Sequence, residues 1–198
     1  MSGAEEAVGP PRRVRDPAAR RAAILAAAAS VFAERGYPGT TMREVARRAG
    51  VTHGLITLHF GSKEKLFLAA VPGTRELPGF TEGPTAELPH RIATSFVARM
   101  EQGGAPDPLI ALVRAAASDQ AAAKRLLAAI QEFSVEPYGA VLDVPDVPER
   151  VALVGAHLMG LTMSRYVLRV GPLAAMSPED LVARLTASLR TILLGPVG

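Results

Sequence analysis

The sequence predicts an all-α protein of two domains, and three observations support this fold class. Apolar residues recur at intervals of three and four along most of the 198 residues, and no Val- or Ile-rich alternation bounded by hairpin turns is present. The hydrophobic fraction is 48% and the aromatic fraction 5%, so a buried and mostly aliphatic core is expected. A stretch rich in Pro and Gly, residues 72–84, separates a short front part from a longer rear part.

Charge divides the chain in the same way. Residues 1–75 hold twelve Lys or Arg against six Asp or Glu, a net of +6, and residues 76–198 hold ten against thirteen, a net of −3. A basic front part is typical of a domain that meets a polyanion, although a solvated basic face gives the same count. Cysteine is absent, which excludes disulfides, thiolate metal sites and a thiol nucleophile.

These observations predict four segments. Residues 1–15 form a flexible basic arm, in which Arg12, Arg13 and Arg15 either enter a minor groove or, as we favour, raise non-specific affinity. Residues 16–71 form the first domain, 72–84 a linker and 85–198 the second domain. No run of about 18 apolar residues is apparent, so we expect no membrane-spanning helix and a cytoplasmic location.

The first domain contains start and stop signals for four helices. Asp16 and Pro17 begin the first helix, which Gly36 ends. Thr41 and Glu44 are spaced as a capping box for the second helix, which ends at Gly50. Thr52 is the expected N-cap of a third helix that runs to Phe60 with Ile56 and Phe60 facing inward; Gly61 breaks it, and Ser62 starts a fourth that Val71-Pro72-Gly73 stops.

The second domain shows further helical patterns, over residues 85–101, 108–118, 119–135, 148–170 and 177–194. The fourth of these carries an apolar stripe (Val151, Val154, Leu158, Leu161, Arg165, Leu168) and a stripe of small residues (Ala152, Ala156, Gly160, Ser164). The last carries Leu181, Leu185, Leu189 and Ile192. Two such helices from each of two chains fit a four-helix dimer interface, and ordinary core packing fits the stripes as well.

The second and third helices, joined by Gly50-Val51-Thr52, have the layout of a helix-turn-helix. Around them stand Thr40-Thr41-Met42-Arg43-Glu44-Val45-Ala46, Ala49-Gly50-Val51, His59-Phe60-Gly61-Ser62-Lys63-Glu64-Lys65-Leu66 and, earlier, Phe32-Ala33-Glu34-Arg35-Gly36-Tyr37. With these motifs the sequence resembles the TetR family of bacterial transcriptional regulators. The resemblance covers roughly Asp16 to Ala70; the rest is similar only in length and helical pattern.

The resemblance implies which residues meet DNA. Thr41, Arg43 and Lys63 would hold phosphates, and His53, Gly54, Leu55, Thr57, Leu58 and His59 would form the face that enters the major groove. Thr57 stands where the family usually has Tyr, and Leu55 and Leu58 stand where small or polar residues are commoner. The leucines are therefore expected to meet thymine methyl groups.

Structural roles for some of these residues stay open. In one interpretation His59 packs against the core or caps a helix instead of contacting DNA. In another, Lys63 is only a solvated surface charge. His53 and His59 are six residues apart rather than three or four, so a metal pair is not expected.

The resemblance also implies a small effector bound between helices of the second domain. Residues that give apolar walls with a few polar tips are Phe96, Met100, Phe133, Tyr138, His157, Met163, Arg165 and Tyr166. Phe and Met at helical spacing belong to a core more often than to a pocket. For His157 and Arg165 a buried polar pair, an interface contact and solvent exposure all remain open.

The sequence as a whole predicts a sequence-specific, DNA-binding transcriptional regulator without a cofactor or metal. On the resemblance, it is a homodimer through its last two helices, and a repressor rather than an activator, released from a palindromic double-stranded operator by a small molecule. A helical protein-interaction adaptor is the alternative, although it leaves the basic front part unexplained. An enzyme is less favoured, because neither a Gly-x-Ser-x-Gly elbow, a phosphate-binding glycine loop nor His-Glu-x-x-His occurs.

Overall fold

The computed structural model describes residues 17–70, 82–101 and 107–196, and across these ranges it contains helices and no strand. The prediction of an all-α fold is confirmed. The predicted basic arm, the stop at Val71-Pro72-Gly73 and most of the predicted linker lie outside the described residues.

The front part consists of α1 (Pro17–Gly39), α2 (Met42–Ala49), α3 (His53–Phe60) and α4 (Lys63–Ala70). A 3-10 turn at Thr85–Glu87 leads into α5 (Leu88–Glu101), followed by α6 (Pro108–Ser118) and α7 (Gln120–Gly139). The chain then forms α8 (Val147–Leu161), a π-helical segment (Thr162–Leu168), α9 (Gly171–Ala175) and α10 (Pro178–Leu194).

Gly36 ends the regular part of α1, as the sequence predicts. Its backbone angles are φ 68° and ψ 172°, a conformation that glycine adopts without the steric cost of a Cβ atom. The hydroxyl of Thr40 donates to the carbonyl of Gly36 at 2.8 Å and holds the kinked end together. The kink turns the Tyr37 ring into the core, where it is almost completely buried.

Two apolar clusters form the core, and the first extends beyond the four front helices. It joins Phe32 of α1, Ile56 of α3 and Phe67 of α4 to side chains of α6 and α7, including Leu112 and Leu126. The rings of Phe32 and Phe67 meet edge to face at 4.7 Å, an arrangement that adds to the apolar stabilisation. The front helices are therefore anchored on the rear part through a shared core.

The second cluster holds the rear part together. It is built from α5, α8 and α10, where Phe96, Val151 and Leu189 are buried. On α10 the predicted stripe is correct for Leu181, Leu185 and Leu189, but Leu193 is the fully buried fourth member and Ile192 is only half-buried.

Three element boundaries differ from the sequence prediction. The helix predicted to end at residue 135 continues to Gly139 through Pro137, which lies in its last turn, where little helix remains to be disrupted. The helix predicted over 148–170 is α-helical only to Leu161 and π-helical from Thr162 to Leu168. The short helix α9 lies in a segment for which no helix was predicted.

Arg165 explains where the π-helical segment lies. Its side chain is 8% exposed, and its guanidinium donates to the carbonyls of Leu173 and Met176 at 2.6 and 2.7 Å. It also donates to the Glu101 carboxylate at 3.1 and 2.8 Å. One buried cation thus ties the segment to the end of α5 and to the chain around α9, and these long-range bonds offset the poorer geometry of a π-helix.

The stretch Val147–Leu168 is long and apolar enough, by length and composition alone, to cross a membrane. This finding differs from the sequence expectation. Such a stretch is weak evidence for a membrane span, since core helices of soluble proteins pass the same test. Its two arginines are buried in ion pairs, Arg150 with Asp146 at 2.9 Å and Arg165 with Glu101 at 2.8 Å.

Candidate nucleic-acid interface

The turn between α2 and α3 sets the direction of α3. Gly50 has φ 65° and ψ 32°, a left-handed conformation, and its N–H and that of Val51 donate to carbonyls of the last turn of α2. Thr52 then caps α3, because its hydroxyl accepts from the N–H of Leu55 at 3.3 Å. The predicted helix-turn-helix geometry is present.

α3 buries one side and leaves the other in solvent. Ile56 and Phe60 are buried against the first core cluster, as predicted from their spacing. Leu55 is half-buried, and the remaining residues of the predicted DNA face are exposed: His53, Gly54, Thr57, Leu58 and His59. Leu58 is 80% exposed, although an apolar side chain gains nothing from water. α3 therefore has one buried side and one exposed side, and the exposed side carries a large apolar residue.

The hydroxyl of Thr57 is engaged within its own helix. It donates to the carbonyl of His53 at 3.1 Å, which places its methyl group and Leu58 among the apolar groups available on this face. A hydroxyl bonded to the preceding turn is less available to a phosphate or a base than the free phenol of a tyrosine.

The three predicted phosphate contacts lie in different settings. Thr41 caps α2 by accepting from the N–H of Glu44 at 3.2 Å. Arg43 is exposed, and no carboxylate of the described residues is within ion-pair distance of it. Lys63 lies at the start of α4, where its ammonium is 4.4 Å from the centre of the Tyr37 ring and 3.4 Å from the carbonyl oxygen of Pro38. Burial lowers the pKa of Lys63.

Only half of the predicted capping box forms. The carboxylate of Glu44 accepts from Arg47 at 2.7 Å and from Arg35 at 3.4 Å, and no bond back to the N–H of Thr41 is present among the described residues. The two guanidinium groups offer stronger, charge-assisted bonds than a backbone N–H does. Arg48 is likewise paired, with Glu34. These pairs lower the positive charge around α2 and leave Arg43 as its unpaired cation within the described part of the chain.

Tyr37 and Glu64 connect this surface to the rear part. The Tyr37 hydroxyl donates to the Glu64 carboxylate at 2.8 Å, and Arg125 of α7 lies 3.4 Å from the same oxygen. Burial raises the pKa of the Glu64 carboxyl, but hydrogen bonds from its own N–H, Tyr37, Ser62 and Arg125 outweigh burial and bring the pKa below 4.5. Sequence reasoning missed this connection, because Glu64 and Arg125 are 61 residues apart.

The structure brings together four of the eight residues predicted for an effector site. Phe96 and Met100 are buried, and the ring of Phe96 lies 6.2 Å from that of Tyr166. The Tyr166 hydroxyl donates to Glu101 at 3.0 Å, the carboxylate that also binds Arg165. Arg165 therefore occupies the buried ion pair that was one of its open interpretations.

The other four predicted effector residues are dispersed. Tyr138 is buried in the second core cluster, where burial raises the pKa of its phenol. Phe133 is 44% exposed in a groove shared with His59 of α3 and Lys65 of α4. His157 lines a cavity between α8 and α10, and Met163 is exposed on the π-helical segment.

α8 and the π-helical segment carry an exposed apolar face. Leu153, Met163, Leu168 and Val170 all leave large apolar groups in solvent. Beside them a cavity of about 430 Å³ lies between α8 and α10, lined by Ala156, Gly160 and Ser164 of the predicted small-residue stripe together with Arg184 and Ser188. Small side chains along a helix let another helix approach closely.

Comparisons with known proteins agree with this architecture. The family model described as "Bacterial regulatory proteins, tetR family" matches residues 24–70, which are α1 to α4. The model described as "Tetracyclin repressor-like, C-terminal domain" matches residues 86–193, more than half of the chain. A crystal structure of a TetR-family regulator from Streptomyces coelicolor A3 is similar with a TM-score of 0.62 and 25% identity, over 93% of this chain and 99% of that one.

Curated relatives are similar over shorter stretches. The HTH-type transcriptional repressor Rv3405c of Mycobacterium tuberculosis is 53% identical over 45 residues, which are 23% of this chain and 24% of that protein. The HTH-type transcriptional activator FasR of Mycolicibacterium smegmatis is 46% identical over 52 residues, which are 26% of this chain and 24% of that protein. The chain thus matches about a quarter of the length of these relatives, and their names include both directions of regulation.

Proposed function

The chain belongs to the TetR family of bacterial regulatory proteins, and on that premise we propose that it is a homodimeric transcriptional repressor that binds a palindromic DNA operator and is released by a small organic effector. The observation that carries the proposal is the outward face of α3, which a left-handed glycine turn presents beside an unpaired arginine. In this function α3 enters the major groove, which is about 12 Å wide.

The proposed contacts to DNA are of two kinds, contacts to phosphates and contacts to base edges. Thr41, Arg43 and Lys63 hold phosphates and fix the position of the domain, without reading sequence. His53, Gly54, Leu55, Thr57, Leu58 and His59 face the base edges. Because Leu58 is an apolar residue that is 80% exposed on this face, we propose that it meets a thymine methyl group.

The proposed dimer pairs α8 and α10 with the same helices of a second copy. The exposed Leu153 of α8, the exposed apolar residues that follow α8, and the cavity bordered by Ala156, Gly160 and Ser164 support this arrangement. Dimerisation matters because one short helix reads few base pairs. A twofold dimer doubles the number of base pairs that are contacted. It requires half-sites about 34 Å apart, which is one turn of DNA.

The proposed domain boundaries remain those of the sequence: 16–71 for the DNA-binding domain, 72–84 for the linker and 85–198 for the effector-binding and dimerisation domain. The first core cluster crosses the boundary, since Phe67 and Leu126 belong to it together. Effector binding in the second domain therefore acts on the first through packed side chains and the Glu64–Arg125 pair. An effector that favours one separation of the two α3 helices lowers operator affinity.

The experiment that tests DNA binding is selection of operator sequences from random duplexes by the purified protein, followed by titration in fluorescence anisotropy. We expect an inverted repeat, thymine at the positions facing Leu58, and a steep loss of affinity between about 50 and 200 mM salt. Recovery of no enriched sequence, together with no complex at low salt, would contradict the proposal.

Two variants separate phosphate contacts from unrelated charge. Arg43→Gln is expected to weaken binding to all duplexes alike and to reduce the slope of log affinity against log salt by about one. Lys124→Gln, an exposed charge on α7, is the matched control and should leave both quantities unchanged. Equal effects of the two variants would mean that Arg43 contributes to DNA binding only through the overall positive charge of the protein.

The direction of regulation needs its own measurement. In transcription assays with the selected operator overlapping a promoter, we expect the protein to lower transcript yield and the effector to restore it. A rise in yield from the same template would show an activator instead, the direction that the name FasR gives for one of the relatives.

A further inference from the structure

A cleft of about 580 Å³ lies where the front part meets the rear part. Its walls are the C-terminal end of α1, Phe67 of α4, Met100 of α5, the first two turns of α6, and Tyr166 and Arg169. The volume falls in the range of about 300–1,000 Å³ typical of sites for small molecules. Every element that lines it belongs to the described part of the chain.

The cleft has an excess of positive charge. Three arginines line it, Arg35, Arg114 and Arg169, together with two acids. Both acids are already neutralised, because Glu34 pairs with Arg48, and Asp107 accepts from Arg99 at 2.6 Å. No carboxylate of the described residues is within ion-pair distance of Arg114 or Arg169, whereas Arg35 shares Glu44 at 3.4 Å.

The backbone at Arg169 is held in an unusual conformation. It is the one described non-glycine residue with positive φ, at 56°, and it terminates the π-helical segment. A left-handed arginine at the end of a π-helix is unfavourable by itself, and such features concentrate at functional sites. Arg169 lines the same cleft as Arg114 of α6, and its guanidinium donates to the carbonyl of Tyr166 at 3.4 Å.

The remaining walls are apolar or aromatic. Met100, Ile110 and Ala111 supply aliphatic surface, and the rings of Tyr37 and Tyr166 line the same space. Burial and a hydrogen bond to Glu101 raise the pKa of Tyr166 to about 12, so its phenol stays neutral. Neutral walls with two arginines that have no carboxylate partner among the described residues suit a ligand that has one anionic end and an apolar body.

We propose that this cleft binds an organic monocarboxylate, with its carboxylate between Arg114 and Arg169 and its apolar body against Met100, Ile110 and Ala111. The site differs from the effector residues predicted from the sequence, of which only Met100 and Tyr166 line it. Planar guanidinium groups bind carboxylates through paired hydrogen bonds, which gives the site its selectivity for anions.

The same cleft is connected to the DNA-facing surface through Tyr37. Tyr37 lines the cleft, donates to Glu64, and carries the Lys63 ammonium over its ring at 4.4 Å. A ligand that moves Tyr37 therefore moves a proposed phosphate contact. This regulatory consequence rests on the proposed function, whereas binding of the carboxylate does not.

The test uses octanoate as the probe, titrated into the full chain without DNA by isothermal titration calorimetry. Octylamine and 1-octanol have the same chain length but carry a positive charge and no charge. We expect one saturable site per chain for octanoate, with the other two at least about tenfold weaker. The chain has three tyrosines and no tryptophan. Because Tyr37 and Tyr166 line the cleft, intrinsic tyrosine fluorescence should change with the same midpoint.

Variants locate the site. Arg114→Gln and Arg169→Gln are each expected to weaken octanoate binding about tenfold, and Lys124→Gln, the matched exposed cation on α7, should leave it within about twofold. Circular dichroism checks that each variant folds. Absence of saturable octanoate binding, equal binding of octylamine, or indifference to both arginine variants would overturn the proposal. Since none of these measurements involves DNA, a failure here is distinct from a failure to bind an operator.

Discussion

The front helices and the region from α8 to Val170 differ in how many of their large apolar side chains are exposed to solvent. In α1 to α4 the aromatic residues Phe32, Tyr37 and Phe67 are buried against one another, and Leu58 is the exposed large apolar residue of that part. From α8 to the end of the π-helical segment and just beyond, Leu153, Met163, Leu168 and Val170 are all exposed.

Exposure of an apolar side chain does not by itself identify the partner of a surface. The residues around that side chain indicate which kind of partner fits. Leu58 stands on a short helix among His and Thr, and the preceding helix carries the unpaired Arg43, which suits a polyanion with methyl groups in its groove. Leu153 stands on a helix with small residues at Ala156 and Gly160, which suits a second apolar helix.

Phe67→Ala removes a fully buried ring from the cluster that joins the front helices to α6 and α7. We expect the free energy of unfolding to fall by about 3–5 kcal/mol, because apolar contacts are lost and a cavity remains. Urea denaturation followed by circular dichroism measures it. Phe133→Ala, at a ring 44% exposed, is the control and should cost less than about 1 kcal/mol. Comparable losses would contradict a closed front core.

Leu153→Glu and Leu58→Glu place the same charge on the two exposed surfaces. At residue 153 the charge would be buried in the proposed dimer, so we expect the dimer to dissociate about a hundredfold more readily. At residue 58 it would face phosphates, so we expect operator affinity to fall while the dimer persists. Analytical ultracentrifugation and anisotropy measure the two quantities, and each variant serves as the control for the other.

A loss of dimer in Leu58→Glu, or an unchanged dimer in Leu153→Glu, would contradict the assignment of partners to the two surfaces. Leu153→Glu is also expected to weaken binding to a full palindrome more than to a half-site, because only the palindrome uses both copies.

Glu64→Gln tests the connection between the two parts through pH. The pKa of Glu64 in the folded protein is below 4.5, so the carboxylate stabilises the fold above that pH and this stabilisation is lost as pH falls through the folded pKa. The variant should therefore be less stable than the natural chain near pH 7, and the difference should shrink in acid. Urea midpoints from pH 7 down to about 3 measure it. A difference that does not vary with pH would contradict the role of Glu64 as a bound carboxylate.

Lys65→Gln removes an exposed ion pair between α4 of the front part and α7 of the rear part. Lys65 and Glu132 are 3.9 Å apart and both largely exposed, so the expected cost is below about 0.5 kcal/mol and disappears at high salt. Thermal unfolding at low and high salt measures it. A larger loss that salt does not reduce would show that Lys65 stabilises the fold through contacts other than this exposed ion pair.

Most of the front part could be predicted from the sequence, since its signals are local. The cap at Thr52, the glycine turn at Gly50 and the inward pair Ile56 and Phe60 each depend on residues within one or two turns. The capping box at Thr41 was half wrong because Glu44 had a choice between a local N–H and two arginines, one of them on α1. The spacing of Thr41 and Glu44 does not indicate which of these donors the Glu44 carboxylate binds.

Residue order and spacing were enough to predict the all-α fold, the helix-turn-helix, most members of the α8 and α10 stripes and the uneven charge, because periodicity and capping act over a few residues. The packing of the helices was needed to bury Arg165 on Glu101, to join Tyr37 and Arg125 to Glu64, and to bring Arg114 and Arg169 to one cleft. These contacts join residues 27 to 64 positions apart, where the stabilisation from burial and charge pairing depends on how the helices pack.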